Sequence, residues 1–489
     1  MRQSQLDQHC KAAGAIWIGL VCLILAGYSQ MGFAAMGPAL PINAQLQDGS
    51  PSANRFIVRS TAGAVGINLT CLVLGCQVVD GVGDPDTQLF VVQVPQIVSS
   101  EAFLAQLLTM TGVISAEPDQ TVNTLAATVS TMPSYAYDRR PVWYYGASVW
   151  EGYVLQTPNQ IVRTAQTQSK FAVTGQGTIV ALIDTGVDPN NKILKSRLVY
   201  GYDFTRNADG GSEMGDINQS TAGVVDQSTA GVIDGSTQPA TLNQSTAGVI
   251  DQSTAGVIDQ TKYSAFGHGT MTAGIVHLVA PNAQLMPLKA FGADGTGYAS
   301  DVLRAIYYAV NHGAKVISMS FEFSSPSLEL ANSINYATTQ NVICVGSAGN
   351  DGSMTVVYPS GLPNVIDVAS TSNSNTPSAF SNYGTPPVWL SAPGEGVMTT
   401  YPFQTYAVGW GTSFSTPFVS GTVALMASVS PWGSALLNQS TAAQALSHAQ
   451  PIQETQYGFG VLDTYQAVQS WAGTVNPNVG LGCSSLFRC

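Results

Sequence analysis

Six segments between residues 178 and 393 run apolar without alternation: TIVALID (178–184), QLMPLKAF (284–291), AKVISMSF (314–321), NVICVGSA (341–348), NVIDVAS (364–370) and VWLSAP (388–393). A strand with one wet face alternates apolar and polar residues, whereas an unbroken apolar run needs cover on both faces. Helical stretches separate the six runs and can supply that cover. From Gln176 onward the chain therefore reads as α/β, with a mainly parallel sheet and helices on both faces. In such sheets the working residues collect at the carboxyl ends of the strands, so the residues just after each run are the ones to weigh.

The chain ahead of this region has its own organisation. Arg2 and Lys11 precede an apolar run, Ala12 to Tyr28, and small residues follow at Gly32, Ala34 and Ala35. That is the layout of a signal peptide over 1–35, with an uncleaved anchor as the alternative. RFIVRS (55–60), an apolar segment of helical spacing from Ala64 to Val78, QLFVVQVP (88–95), SSEAFLAQLLTMTG (99–112) and VISAEPDQTV (113–122) then read as strand, helix, strand, helix, strand. They form a small ferredoxin-like α+β module, with its core at about 55–122 in a segment 36–125. A Ser/Thr-rich passage opens a linker over 126–143, the large region spans 144–475, and 476–489 form a tail.

With 17 basic against 29 acidic residues among 489, the balance of −12 argues against nucleic acid or an anionic membrane as partner. Seven cysteines are too few for a disulfide framework, and Cys10 and Cys22 lie in the leader. Cys71 and Cys76 are neighbours in the module, Cys483 and Cys489 could pair in the tail, and Cys344 reads as a small buried hydrophobe.

Four elements carry chemistry. The first apolar run ends in Asp184-Thr185-Gly186; DTG also marks aspartic proteases, but those need two carboxylates sharing a proton, and no second DTG or DSG exists. Gly267-His268-Gly269-Thr270 opens the helical stretch MTAGIVHLVA, and glycines on both sides let backbone or substrate approach the ring. His277 falls out of phase with His268 on that helix and reads, like His312 and His448, as a core or boundary residue. Gly411-Thr412-Ser413-Phe414-Ser415-Thr416-Pro417 precedes FVSGTVALMASV, a helix apolar nearly all round. Ser413 falls in its first turn, where backbone N–H groups favour a developing negative charge; Ser415 is a rival placed further in. The block is not the G-x-S-x-G elbow, because Ser415 stands where the last glycine belongs. Asn350, in SAGNDG after another run, either closes a turn or offers an amide to an oxyanion.

Asp, then His, then Ser is the chain order of subtilisin. VALIDTGVD, FGHGTMTAG, SAGND and GTSFSTPFVSG together resemble the signature blocks of the subtilisin-like serine protease family, over about Tyr144 to Trp471. The resemblance implies an Asp184–His268–Ser413 triad, an oxyanion site at Asn350 and the Ser413 N–H, and no cofactor for the chemistry. It implies that the first module is an inhibitory propeptide, with VISAEPDQ as its closing strand. It also implies a polypeptide substrate, taken up between Gly295-Thr296-Gly297-Tyr298 and Ser320-Phe321-Glu322, with Ser347, Ala348 and Gly349 beside them. The expected protein is thus a secreted, monomeric endopeptidase made as a self-processed precursor, with no nucleic-acid partner and no membrane after signal cleavage. Its mature N-terminus should fall between about Leu125 and Gln160. A glutamate base, as in sedolisin, is argued against by His268 in its GHGT setting. The alternative is a non-catalytic extracellular binding protein that keeps the fold.

Two departures stand out. Where the family has Ser-Leu-Gly, this chain has Ser320-Phe321-Glu322; the glutamate could draw a basic P1 side chain or narrow the pocket, away from large aromatic P1 residues. The family's calcium loop after the histidine helix has no counterpart, because HLVAPNAQLM leads directly to the next strand; other calcium sites stay open. Between Asp184 and His268 lie four copies of QSTAG-V-[VI]-D in 219–259, a period matching neither helix nor alternating strand. This reads as a flexible or weakly β-structured surface insertion near the active-site rim, with a stacked array gating the cleft as the alternative.

Overall fold

The computed structural model describes residues 54–94, 99–123, 132–217, 248–249, 263–384, 386–429 and 431–475. The expected signal peptide and the C-terminal tail lie outside these residues. So does the octapeptide insertion, except for Gly248–Val249.

The N-terminal module is an antiparallel sheet in the order β2-β3-β1-β4, made of β1 (Arg55–Ser60), β2 (Gln77–Gly81), β3 (Leu89–Gln93) and β4 (Val113–Pro118). Helices Gly63–Leu74 and Ser100–Leu107 close one face over Phe56, Ile67, Phe90, Phe103 and Leu107. The sequence reading carried the first helix to Val78. It stops earlier because Gly75 takes a left-handed conformation (φ 72°), and the freed residues form β2. A Cys71–Cys76 disulfide spans that corner. Of the linker expected over 126–143, residues 132–143 are described: Ser134–Tyr137 is a 3-10 turn, and β6 (Pro141–Tyr144) begins a hairpin with β7 (Ala147–Trp150). Between module and hairpin lies a short strand, β5 (Thr121–Asn123).

All six apolar runs are strands, named β8 (Ile179–Asp184), β12 (Gln284–Lys289), β14 (Val316–Met319), β15 (Ile343–Ser347), β16 (Ile366–Thr371) and β17 (Leu390–Pro393). With β9 (Tyr202–Asp203) and β10 (Ala208–Asp209) they form one sheet, ordered β10-β9-β12-β8-β14-β15-β16-β17. Every pairing is parallel except that of the edge strand β10. Cover is two-sided, as the unbroken runs require. One core holds helices His268–Val279 and Thr412–Ala427 against Val180, Leu182, Val345 and Val368; the other holds helices Ala299–Asn311 and Leu328–Thr339 against Ala181, Ile183, Ile317 and Cys344. Ile57, Val82, Leu89 and Val91 of the module join the second core, so the module's sheet packs on those two helices.

The remaining strands are β11 (Gly248–Val249), β13 (Thr296–Tyr298), β18 (Val397–Tyr401) and β19 (Thr405–Gly409). Strands β18 and β19 form a hairpin, and β11 pairs antiparallel with its β19 edge.

Candidate active site

Asp184 is the last residue of β8, between β12 and β14, at the carboxyl edge of the sheet. Its Oδ1 lies 2.7 Å from His268 Nδ1 and accepts the Thr185 N–H at 2.7 Å; Thr272 donates to Oδ2 at 3.1 Å. In the neutral imidazole tautomer that donates Nδ1–H to this carboxylate, the lone pair is on Nε2. His268 is 2% exposed, and its Nε2 is buried with no hydrogen-bond partner. The flanking glycines have a steric reason. A Cβ on Gly269 would stand 2.0 Å from the Gly186 carbonyl oxygen, so only glycine lets this helix meet the DTG turn.

Ser413 sits in the first turn of the buried helix Thr412–Ala427, as expected. Its Oγ donates to the Ser320 carbonyl over a long 3.4 Å, and Ser320 Oγ donates to the Ser413 carbonyl at 3.1 Å. Phe414, the next residue, packs on the His268 ring with centroids 5.6 Å apart. The Ser413 hydroxyl is not hydrogen-bonded to Nε2 here. Its weak bond to Ser320 leaves it free to turn, and such contacts tighten when substrate binds. Asn350 Oδ1 accepts from the Thr412 N–H (2.9 Å) and hydroxyl (3.0 Å), which fixes the amide at the start of the serine helix. Its Nδ2 donor is buried and unpartnered. Ser415 Oγ lies against Gly394 and Ser370.

Two groups at this site escaped the sequence reading. Glu213 is fully buried, accepting from the Gly267 N–H (2.8 Å), the Thr185 hydroxyl (3.3 Å) and the Thr270 hydroxyl. It thereby ties the turn after Asp184 to the turn that presents His268. Burial, outweighing the Thr270 and Gly267 hydrogen bonds, pushes its carboxyl up to about 8. Lys289, paired in register with Asp184 and fully buried, donates to the Thr185 carbonyl (3.0 Å) and to Asp216 (2.7 Å). Glu213 lies in a glycine-rich loop with no motif around it, and Lys289 ends an apolar run, so only their spatial neighbours reveal them.

The expected substrate segments lie at or just past the ends of β13, β14 and β15. Gly295 turns the chain into β13, and β13 pairs antiparallel with β5 through Thr296–Asn123, Gly297–Val122 and Tyr298–Thr121. A Cβ on Gly297 would fall 2.4 Å from the Ala290 carbonyl oxygen. Ser320-Phe321-Glu322 follow β14, while Ser347 ends β15 and leads to Ala348 and Gly349. Phe321 packs inward on Phe291. Glu322 reaches toward Gly349 after the neighbouring strand β15, where an added Cβ would lie 3.0 Å from Glu322 Oε2 and 2.4 Å from Asn382 Nδ2. Burial, then Asp351, pushes the Glu322 carboxyl up to about 8.

His277 is a core residue as expected, its Nδ1 at 3.2 Å from the Tyr153 hydroxyl, and burial lowers its pKa to about 3, so it stays neutral. His312 and His448 are not core residues. Both are exposed, and His312 stacks on Tyr308, one helical turn back on the solvent face. Among the described residues no cluster of three His, Cys, Asp or Glu side chains is placed to hold a metal ion.

An eight-stranded, mainly parallel sheet with a buried helix-borne serine, an aspartate at a strand end and a histidine at a helix start defines the subtilisin-like fold. The solved structure of fervidolysin from Fervidobacterium pennivorans, described as a keratinolytic enzyme related to subtilisin, superposes with a TM-score of 0.65 at 21% identity, covering 87% of this chain and 62% of that one. The chain belongs to the subtilase family, whose model matches residues 175–460. Thermitase of Thermoactinomyces vulgaris is 31% identical over 264 residues, which is 52% of this chain and 76% of thermitase. Subtilisin BL of Lederbergia lenta is 37% identical over 174 residues, 34% of this chain. The match spans 64% of that relative's length, a little under two thirds.

Proposed function

We propose that this chain is a secreted serine endopeptidase, made as a precursor that processes itself. Ser413 attacks a peptide carbonyl, His268 Nε2 takes the hydroxyl proton and returns it to the leaving amine, and Asp184 holds the imidazole and stabilises its charged form. The Asn350 Nδ2 and the Ser413 N–H hold the oxyanion. The observation that carries the reading is the Asp184–His268 bond at 2.7 Å beside two unpartnered buried atoms, His268 Nε2 and Asn350 Nδ2. These are the base and the donor that acyl transfer needs, held ready for a reacting group.

The N-terminal segment 36–125 is read as the inhibitory propeptide, after a signal peptide at 1–35. Support comes from β5, which pairs with β13 as an extended peptide adding a strand at the cleft edge. Residues 144–475 form the catalytic domain with the 219–259 insertion, and the enzyme acts as a monomer on polypeptides. The test is a serine-directed fluorophosphonate probe, with mass spectrometry of the precursor. Wild type should be labelled and processed between residues 125 and 160, while Ser413→Ala should show neither. Absence of labelling in folded wild type would leave a non-catalytic binding protein instead.

A further inference from the structure

We propose that Glu322 makes this site select a cationic side chain, lysine or arginine, on the residue whose carbonyl Ser413 attacks; the inference rests on the endopeptidase reading above. Residues 320–322 follow β14 and residues 347–349 run on from the end of the neighbouring β15, and Ser413 meets the first segment through two hydrogen bonds with Ser320; in this proposal the space between the two segments is the slot that takes the side chain. Phe321 and Phe323 are each 1% exposed and belong to the apolar core. Side chains alternate along an extended segment, so Glu322 faces the other way, into the slot. Its reach is recorded by Gly349 in the second segment, whose added Cβ would lie 3.0 Å from Glu322 Oε2.

That oxygen is buried and has no hydrogen-bond partner. The charge that acts on it is a second carboxylate, Asp351, two residues beyond Gly349, whose amide partner is Asn382 Nδ2 at 3.3 Å. No lysine or arginine among the described residues forms an ion pair with either carboxylate. Burial first, and then the neighbouring Asp351 carboxylate, raise the proton affinity of Glu322. An aliphatic or aromatic substrate side chain would cover this carboxyl and leave it unsatisfied. An ammonium or guanidinium would supply both the missing donor and the missing charge.

The experiment measures kcat/KM on peptides identical except for lysine, arginine, alanine, leucine or phenylalanine at that position, with wild type, Glu322→Gln and Glu322→Ala. Thermal melting and fluorophosphonate labelling of each variant serve as checks on fold and nucleophile. Wild type should prefer lysine and arginine, and the lysine-to-alanine ratio should fall about 10- to 100-fold in Glu322→Gln, the loss expected when a charged hydrogen-bond partner is removed. Wild-type preference for alanine, leucine or phenylalanine, or a ratio unmoved within about threefold by Glu322→Gln, overturns the proposal while leaving the endopeptidase reading intact. If wild type is neither labelled at Ser413 nor active on any peptide, the endopeptidase reading fails and the selectivity falls with it.

Discussion

Replacing Arg59 with methionine removes the cation that joins the N-terminal module to the large domain. Arg59 on β1 donates to Glu329 at 2.6 Å and 3.1 Å and to Asp84 at 3.2 Å; its side chain is 14% exposed, and both carboxylates are 1% exposed. Burial alone would raise the Glu329 pKa, but the Arg59 and Ser115 hydrogen bonds hold it below its ordinary value. The methionine keeps the alkyl packing and strands two buried negative charges. Removing one member of a buried pair costs about 3–5 kcal/mol, and the residual exposure of Arg59 favours the lower figure, about 3 kcal/mol. At about 1.4 kcal/mol per factor of ten, undocked states become about 10²-fold more populated. The assay is hydrogen exchange, read by mass spectrometry on peptides covering 55–60 and 328–339, in the full chain carrying Ser413→Ala so that processing does not interfere. Arg59→Met with Glu329→Leu should dock better than Arg59→Met alone, because Asp84 then remains with the Gln88 and Leu89 N–H groups that already bind it. A double variant that exchanges as fast as the single one would refute the argument, since stranded charge would not be what opens the interface.

Docking should also weaken as pH rises. Glu117 accepts from Ser327 and Leu328 at a helix start, and burial pushes it up to about 7; Asp301 at the other helix start is pushed up to about 7 by burial as well. A carboxyl whose pKa is raised on docking stabilises the docked state fully below its ordinary value near 4, and that stabilisation is lost as pH passes about 7, whereas the depressed Glu329 loses its contribution only on acidification. Module peptides should therefore exchange faster at pH 8 than at pH 6, after correction for intrinsic exchange; the opposite order would contradict it. Glu213→Ala should cost about 2–4 kcal/mol in urea unfolding, from the stranded Gly267 N–H and the cavity, with Glu213→Gln costing less because an acceptor remains. Asn350→Ala should lower kcat about 10²–10³-fold, the loss that removing one such donor causes in subtilisin. A loss confined to KM would remove Asn350 from the oxyanion role.

The six apolar runs determined a doubly covered parallel sheet, because no one-sided strand tolerates unbroken hydrophobicity, and all six became neighbours in it. The positions of Asp184, His268, Asn350 and Ser413 follow from a related rule: Asp184 and Asn350 come at or after the ends of apolar runs, His268 and Ser413 open helices, and the glycines around them mark backbone that must pass closely. The exposed positions of His312 and His448 were not legible, since each lies just past a helix end, after Asn311 and Leu446, where no periodic pattern sets the burial of a side chain. Glu213, Lys289 and the Arg59–Glu329 contact became visible only in three dimensions. Burial of a charge depends on partners as far as 270 residues away, and no local pattern encodes such separations. Glu322 shows both halves: the sequence displayed an acid where a glycine was expected, and the fold alone decided that its oxygen is buried beside Gly349 with no hydrogen-bond partner.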